Sequence, residues 1–161
     1  MSLAKLRTYT LLGIDAIGVE AEVDVAATGL PQVVLVGLAE SAVKESTHRV
    51  ERALVNSGYR KASSRVIINL APADLRKDAP GFDLPIALGM LAATGQMATD
   101  LFEDVAVVGE LSLEGTTRPI KGALSIAMAA RREGKKRLLV PSANASEAAV
   151  DDDIDIYPVG S

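Results

Sequence analysis

A mixed α/β fold, with strands first and helices alternating with strands later, is the class this sequence predicts. Three observations carry it. Residues 17–28 alternate Glu20, Glu22 and Asp24 with Val19, Ala21, Val23 and Val25, the two-residue period of a strand buried on one face. Short apolar runs closed by glycine or proline, Gln32–Val36 before Gly37 and Arg137–Val140 before Pro141, read as buried strands. Segments of helical period follow each of them, the longest over Ala39–Asn56. That order places the chain among α+β or mixed α/β folds, a mixed sheet packed with helices.

Element by element, residues 7–14 and 17–28 read as two strands around Gly13–Gly18, and Thr28-Gly-Leu-Pro31 as a turn into Gln32–Val36. Together these three suggest an antiparallel meander. Over Ala39–Asn56, Ala39, Val43, Val50, Ala53 and Leu54 mark the apolar face, Glu40/Lys44 and Glu45/Arg49 are i,i+4 pairs, and Ser57-Gly58 stops the helix. Ser64–Leu70 is a strand, and Ala71–Phe82 a loop with two prolines. Leu84–Thr94 is a small-residue helix with Pro85 in its first turn and Asp83 at the cap position. Val105–Val108 is a strand, Leu111–Arg118 a hairpin turning at Glu114-Gly115, and Lys121–Glu133 a helix ended by Gly134. Arg137–Val140 is a strand, Asn144–Val150 a short helix and Ile154–Tyr157 a last strand.

The 161 residues suit one domain spanning 1–161. Aromatics are only 3%, with no Trp, so the core must be built from Ala, Val, Leu and Ile. The absence of cysteine removes disulfides, thiolate metal sites and thiol nucleophiles. No apolar run reaches 18 residues and the start carries no signal-peptide pattern, so a soluble cytoplasmic protein with no membrane partner is the expectation. Residues 1–77 hold 10 Lys/Arg against 8 Asp/Glu, and residues 78–161 hold 7 against 13. Bulk charge therefore gives no case for strong nucleic-acid binding.

Two blocks, Lys77-Asp-Ala-Pro-Gly-Phe-Asp-Leu-Pro-Ile-Ala-Leu and Val108 through Pro141, resemble the ribosomal S5 domain 2-like fold shared by Lon peptidases. In the second block Gly109, Glu110, Leu113, Gly115, Pro119, Ile120, Gly122, Gly134 and Pro141 fall in the Lon register. The resemblance implies a Ser–Lys dyad with its serine at position 81 and its lysine at position 124. These positions hold Gly81 and Leu124, so neither partner of the proton transfer is present. Lys121 lies one helical turn before position 124, and Ser125 follows it.

Over essentially its whole length the chain is similar to the N-terminal domain of the Mg-chelatase-like AAA+ ATPases, the ComM/YifB family. The start Ala-Lys-Leu-Arg-Thr-Tyr-Thr-Leu-Leu-Gly-Ile-Asp-Ala carries the likeness, with Leu-Pro-Gln-Val-Val-Leu-Val-Gly-Leu and Phe-Asp-Leu-Pro-Ile-Ala-Leu. That family places an ATPase module next to this domain, forms homo-oligomeric rings, and is linked in some members to DNA processing during competence. No Gly-x-x-x-x-Gly-Lys-[Ser/Thr] occurs here, so ATP and Mg are expected only in the ATPase module and no cofactor in this domain. The implied function is a non-catalytic accessory or assembly domain. A Lon-like peptidase with a displaced dyad and a metal-chelatase partner domain are the alternatives.

Four candidate sites follow. Lys77, Asp78, Asp83 and Lys121 surround the relict groove; the plainer reading makes Asp83 a helix cap and Lys77 and Asp78 solvated loop charges. Arg131, Arg132 and Lys136, within the densest positive run, could meet a DNA backbone, although cations at a helix C-terminus also answer its dipole. No aromatics interleave them for base stacking. Lys44, His48 and Arg52 form one helical stripe, which the neighbouring glutamates neutralise. The acids of Asp151-Asp-Asp-Ile-Asp155 lack the Gly and Glu of a calcium loop, so no metal site is expected.

Overall fold

The structure, a computed structural model, describes residues 3–26, 28–37, 40–72, 79–98, 102–150 and 153–161, without the side chains of residues 40, 41, 43, 79 and 80. Nine strands and four α-helices follow in the order β1 (Leu3–Leu12), β2 (Asp15–Val25), β3 (Gln32–Val36), α1 (Glu40–Asn56), β4 (Arg65–Ala71), α2 (Asp83–Ala93), β5 (Val105–Val107), β6 (Glu110–Leu111), β7 (Thr117–Arg118), α3 (Ala123–Arg132), β8 (Arg137–Pro141), α4 (Ala145–Ala148) and β9 (Asp155–Val159). Short 3₁₀ turns at Ala79–Phe82 and Ser142–Asn144 lead into α2 and α4. This is the mixed fold that the alternating pattern predicts, and it accords with the S5-like resemblance.

Seven strands form one mixed sheet in the order β3-β4-β2-β1-β5-β8-β9. β1 and β2 are an antiparallel hairpin whose register runs from Leu3↔Asp24 to Leu12↔Asp15. The expected meander stops there, because β4 takes the free edge of β2, antiparallel, and β3 lies outside it. The reason is connectivity: β3 and β4 are joined through α1, and a crossover through a helix returns the chain parallel to the strand it left. β3 accordingly pairs parallel to β4, with Val34 opposite Ile67.

The two-residue period sorts the side chains between two core clusters. Ala4, Leu6, Val19, Ala21 and Val23 point to the face covered by α1 and α2, with Ile68 and Leu70 from β4. Tyr9, Ala16, Ala106, Leu138 and Val140 point to the opposite face, under α3 and α4. α2 carries apolar residues on every side and is buried along nearly its whole length. Gly89 lets it lie close on the sheet: a Cβ there would stand 2.5 Å from Val23 Cγ2 and 3.1 Å from Leu6 Cδ1. The largest fully buried side chain is Phe82, at the entry to α2. α3 ends where glycine predicts, at Gly134 with φ of +83°.

A half-exposed lock joins the sheet to the end of α3. Arg7 donates from Nε and Nη2 to the two carboxylate oxygens of Glu133, both at 2.9 Å, and Tyr9 Oη donates to the same group at 2.7 Å. Gly18 faces Tyr9 across the hairpin, and the space a Cβ would need there is filled by the Arg7 guanidinium. Arg7 and Tyr9 hold the Glu133 carboxyl below its usual range of about 4.5. A depressed carboxyl stabilises the fold fully above that pH and ceases to do so as the pH falls through its folded value. Gly18→Ala, by expelling Arg7, is expected to cost roughly 1–2 kcal/mol at pH 7, the worth of a partly solvated charge-assisted pair. Urea melts of wild type and variant should converge below about pH 4, where Glu133 is protonated; a gap unchanged at low pH would show that the loss lies elsewhere.

Candidate functional site

Gly81 and Lys121, two of the positions singled out from the sequence, line one groove of about 400 Å³. One side is the end of β1, contributed by Tyr9, Thr10 and Leu11; the other is Val108 and Glu110 with the turn at Gly81, while Pro119, Ile120 and Ile126 close it toward α3. Local backbone bonds explain how these pieces meet. Gly109 donates to the Gly81 carbonyl at 3.0 Å and accepts from the Leu84 amide at 2.9 Å, so the chain leaving β5 is tied to the entry of α2. A Cβ on Gly109 would stand 3.1 Å from Leu84 Cδ2, a contact tight enough to disturb that tie. On the far side buried Asn144 clamps Ile120, accepting from its amide and donating to its carbonyl, each at 2.9 Å.

Positions 81 and 124 carry no reactive group in this geometry. Gly81 is half-buried, and a Cβ built on it would meet only Ile120 Cγ2 at 3.8 Å, so the position has room for a side chain that the sequence leaves out. Leu124 is half-buried in the first turn of α3, its amide donating to Glu147 at 3.1 Å. Lys121 is solvent-exposed at the groove rim. Lys77 and Asp78 lie outside the described residues.

Asp83 is neither a cap nor a solvated charge. It opens α2 from inside the helix, where the capping position is Phe82 and no side chain caps the end. Its carboxylate is fully buried and holds three elements together. Arg49 of α1 donates from Nε to Oδ2 at 2.7 Å and from Nη2 to Oδ1 at 3.2 Å; buried Ser46 donates to Oδ1 at 2.9 Å; the Leu111 amide of β6 donates to Oδ2 at 3.2 Å. Burial pushes this carboxyl above the ordinary range, against the pull of Arg49, the Leu111 amide and Ser46. The Arg49 guanidinium is raised in turn by its hydrogen bond to Asp83. Glu45, the i,i+4 partner expected of Arg49, stays at 3.9 Å and exposed. Because β6 opens the hairpin that forms the groove wall, this buried charge pair positions the wall without facing the groove. Arg49, Ser46 and Asn144 were not singled out from the sequence.

The basic run is spread over the surface and partly answered by acids. Arg131 stands 3.8 Å from Asp153 and Lys136 4.0 Å from Asp104, while Lys135 Nζ donates to the Glu103 carbonyl at 2.7 Å. Arg132 is exposed at the end of α3. Lys44, His48 and Arg52 are exposed along α1. Asp151 and Asp152 fall outside the described residues, and among those described no three His, Cys, Asp or Glu side chains converge. No helix among the described residues is long and apolar enough to cross a membrane.

Comparison with known proteins agrees with this architecture. The family described as subunit ChlI of Mg-chelatase matches residues 21–144. The chain is 43% identical to the protein YifB of Salmonella typhimurium over 150 residues, 93% of this chain and 29% of that protein. It is 39% identical to competence protein ComM of Haemophilus influenzae over 157 residues, 98% of this chain and 30% of the relative. A more distant likeness, 30% over 105 residues, joins 65% of the chain to 18% of Lon protease 2 of Bacillus subtilis. The chain thus spans about three-tenths of the length of the ComM and YifB proteins it matches. By the extent of these matches, it belongs to the Mg-chelatase-like ComM/YifB family.

Proposed function

We propose that this chain is a non-catalytic accessory domain of a Mg-chelatase-like AAA+ ATPase that acts in DNA processing within a ring of identical subunits. What supports the non-catalytic part is the groove itself. A peptidase of this ancestry needs an alcohol and an amine in contact, and none of the residues lining the groove is a serine. The amine at its rim, Lys121, is exposed, whereas a general-base lysine requires a desolvated setting to lose its proton near neutral pH. ATP and Mg would bind in the ATPase module.

The DNA part draws on the name of the Haemophilus influenzae relative, a competence protein, and on exposed Arg131, Arg132 and Lys136. Two measurements test the reading. Incubation with a serine-reactive fluorophosphonate should leave the chain unlabelled; a labelled serine whose modification disappears in Lys121→Ala would replace this reading with a displaced-dyad peptidase. Duplex and single-strand binding should be measured for the chain joined to its ATPase module. An affinity that falls at least about tenfold between 50 and 200 mM salt is expected of phosphate contacts, with a shallower salt slope in Arg131→Glu/Arg132→Glu/Lys136→Glu. No binding at low salt ends the DNA assignment.

A further inference from the structure

We propose that the groove is a docking site for an extended peptide segment, which adds as a strand to the unpaired edge of β1. The sheet opens at this point. β5 pairs with β1 at one position, Arg7↔Ala106, yet β1 runs on to Leu12. Beyond β5 the chain peels away: the Val108 amide goes to the Leu139 carbonyl and the Gly109 amide to Gly81. Among the described residues no backbone hydrogen bond joins residues 9–12 to any segment except β2. In an antiparallel pair alternate residues turn their N–H and C=O groups away from the partner strand. Those groups of the Tyr9–Leu12 stretch therefore face the gap.

The groove's lining says the same. Tyr9, Thr10 and Leu11 all contribute to it, although successive side chains of a strand point to opposite faces. What three consecutive residues can share on one side is main chain. An edge of this kind recruits an extended chain through main-chain hydrogen bonds and selects it by pockets for alternate side chains. Leu11, Val108, Ile120 and Ile126 supply apolar walls, while Glu110 and Lys121 carry opposite charges and so favour neither sign of ligand. The occupant is thus a strand about four residues long, roughly 13 Å at the rise of a β-strand, with apolar side chains at every second position. Gly81 matters here by what it lacks: its bare backbone keeps the wall opposite β1 open.

This inference goes beyond the accessory reading, and one experiment separates the two. A panel of capped hexapeptides alternating serine with Val, Leu, Ile or Phe is titrated to millimolar concentration into the ¹⁵N-labelled chain. Expected are shifts and slowed amide exchange centred on Tyr9–Leu12, Ile120 and Ile126. Backbone N-methylation of the best peptide in one alternate register should weaken it about tenfold for each lost hydrogen bond, and in the other register hardly at all. Gly81→Leu, which fills the groove, should abolish the shifts; should that variant fail to fold, the N-methylated peptides alone decide. No response to any peptide, shifts centred elsewhere, or equal binding by both N-methylated registers overturns the proposal. Mass spectra of the recovered peptide report on the other reading: intact peptide agrees with both, whereas cleaved peptide keeps the docking site and removes the non-catalytic function.

Discussion

Arg49→Met is expected to cost about 3–5 kcal/mol at pH 7, because it leaves the Asp83 carboxylate buried without its cation. The Ser46 hydroxyl and the Leu111 amide remain, but two neutral donors do not offset the desolvation of a full charge. The pH dependence distinguishes this cause from lost packing. An acid whose folded pKa is raised destabilises the fold above its unfolded value, so stability falls as the pH rises through that window. Burial already pushes Asp83 in this direction, and removing Arg49 takes away the first of the groups holding it down. The variant should therefore regain stability relative to wild type as the pH drops from 7 toward 4. Asp83→Asn in the same background should restore at least half of the loss, since an amide oxygen still accepts from Ser46 and Leu111. Equal losses at pH 7 and pH 5 would mean that the guanidinium contributes only its packing. In proteolysis of this variant, early cuts within residues 110–118 would report the freed hairpin.

Phe82→Ala is the second large effect, about 3–5 kcal/mol for a fully buried phenylalanine. The chain has two phenylalanines and no tryptophan, so few other side chains could swell into the void, and the alanines and valines around it are short. Phe82→Leu should cost less than half as much. Urea titration with an unchanged m value would place the loss in the folded core; a cost below about 1 kcal/mol would show that the entry to α2 is not the packed centre described above. The residue next to Phe82 is Gly81, so the large side chain that fixes α2 on the sheet also fixes the groove wall.

Much of this was legible in the residues. β3, the hairpin turning at Glu114-Gly115, the end of α3 at Gly134 and the strand before Pro141 follow from local signals: period, turn chemistry and a left-handed glycine. The alternation of Glu20, Glu22 and Asp24 with Val19, Ala21 and Val23 gave the correct face of β2. What was not legible is long-range. Nothing local says that β4 rather than β3 pairs with β2. Nothing local says that Arg49 prefers Asp83, 34 residues away, to Glu45 one turn away; burial decides that, and burial is a property of the assembled fold. The cap assigned to Asp83 failed for the same reason. An aspartate just ahead of an apolar helix is ordinarily a cap, but here the helix starts one residue sooner and the core closes over the carboxylate. The groove was half legible: Gly81 and Lys121 came from the family register and share it, whereas its main-chain edge has no signature in residue types at all.

The uneven layering of the sheet has a mechanical side. Under β1, β5 and β8 it is clasped by helices from above and below, while the outward surface of β4 and β3 has none, leaving Val36 and Ile67 in water. Bending stiffness rises steeply with thickness, so the clasped portion behaves as an anvil and the thin portion as a leaf spring fixed to it. A load applied at β3 would be absorbed by flexing there, and the cleft beside β1 would keep its shape.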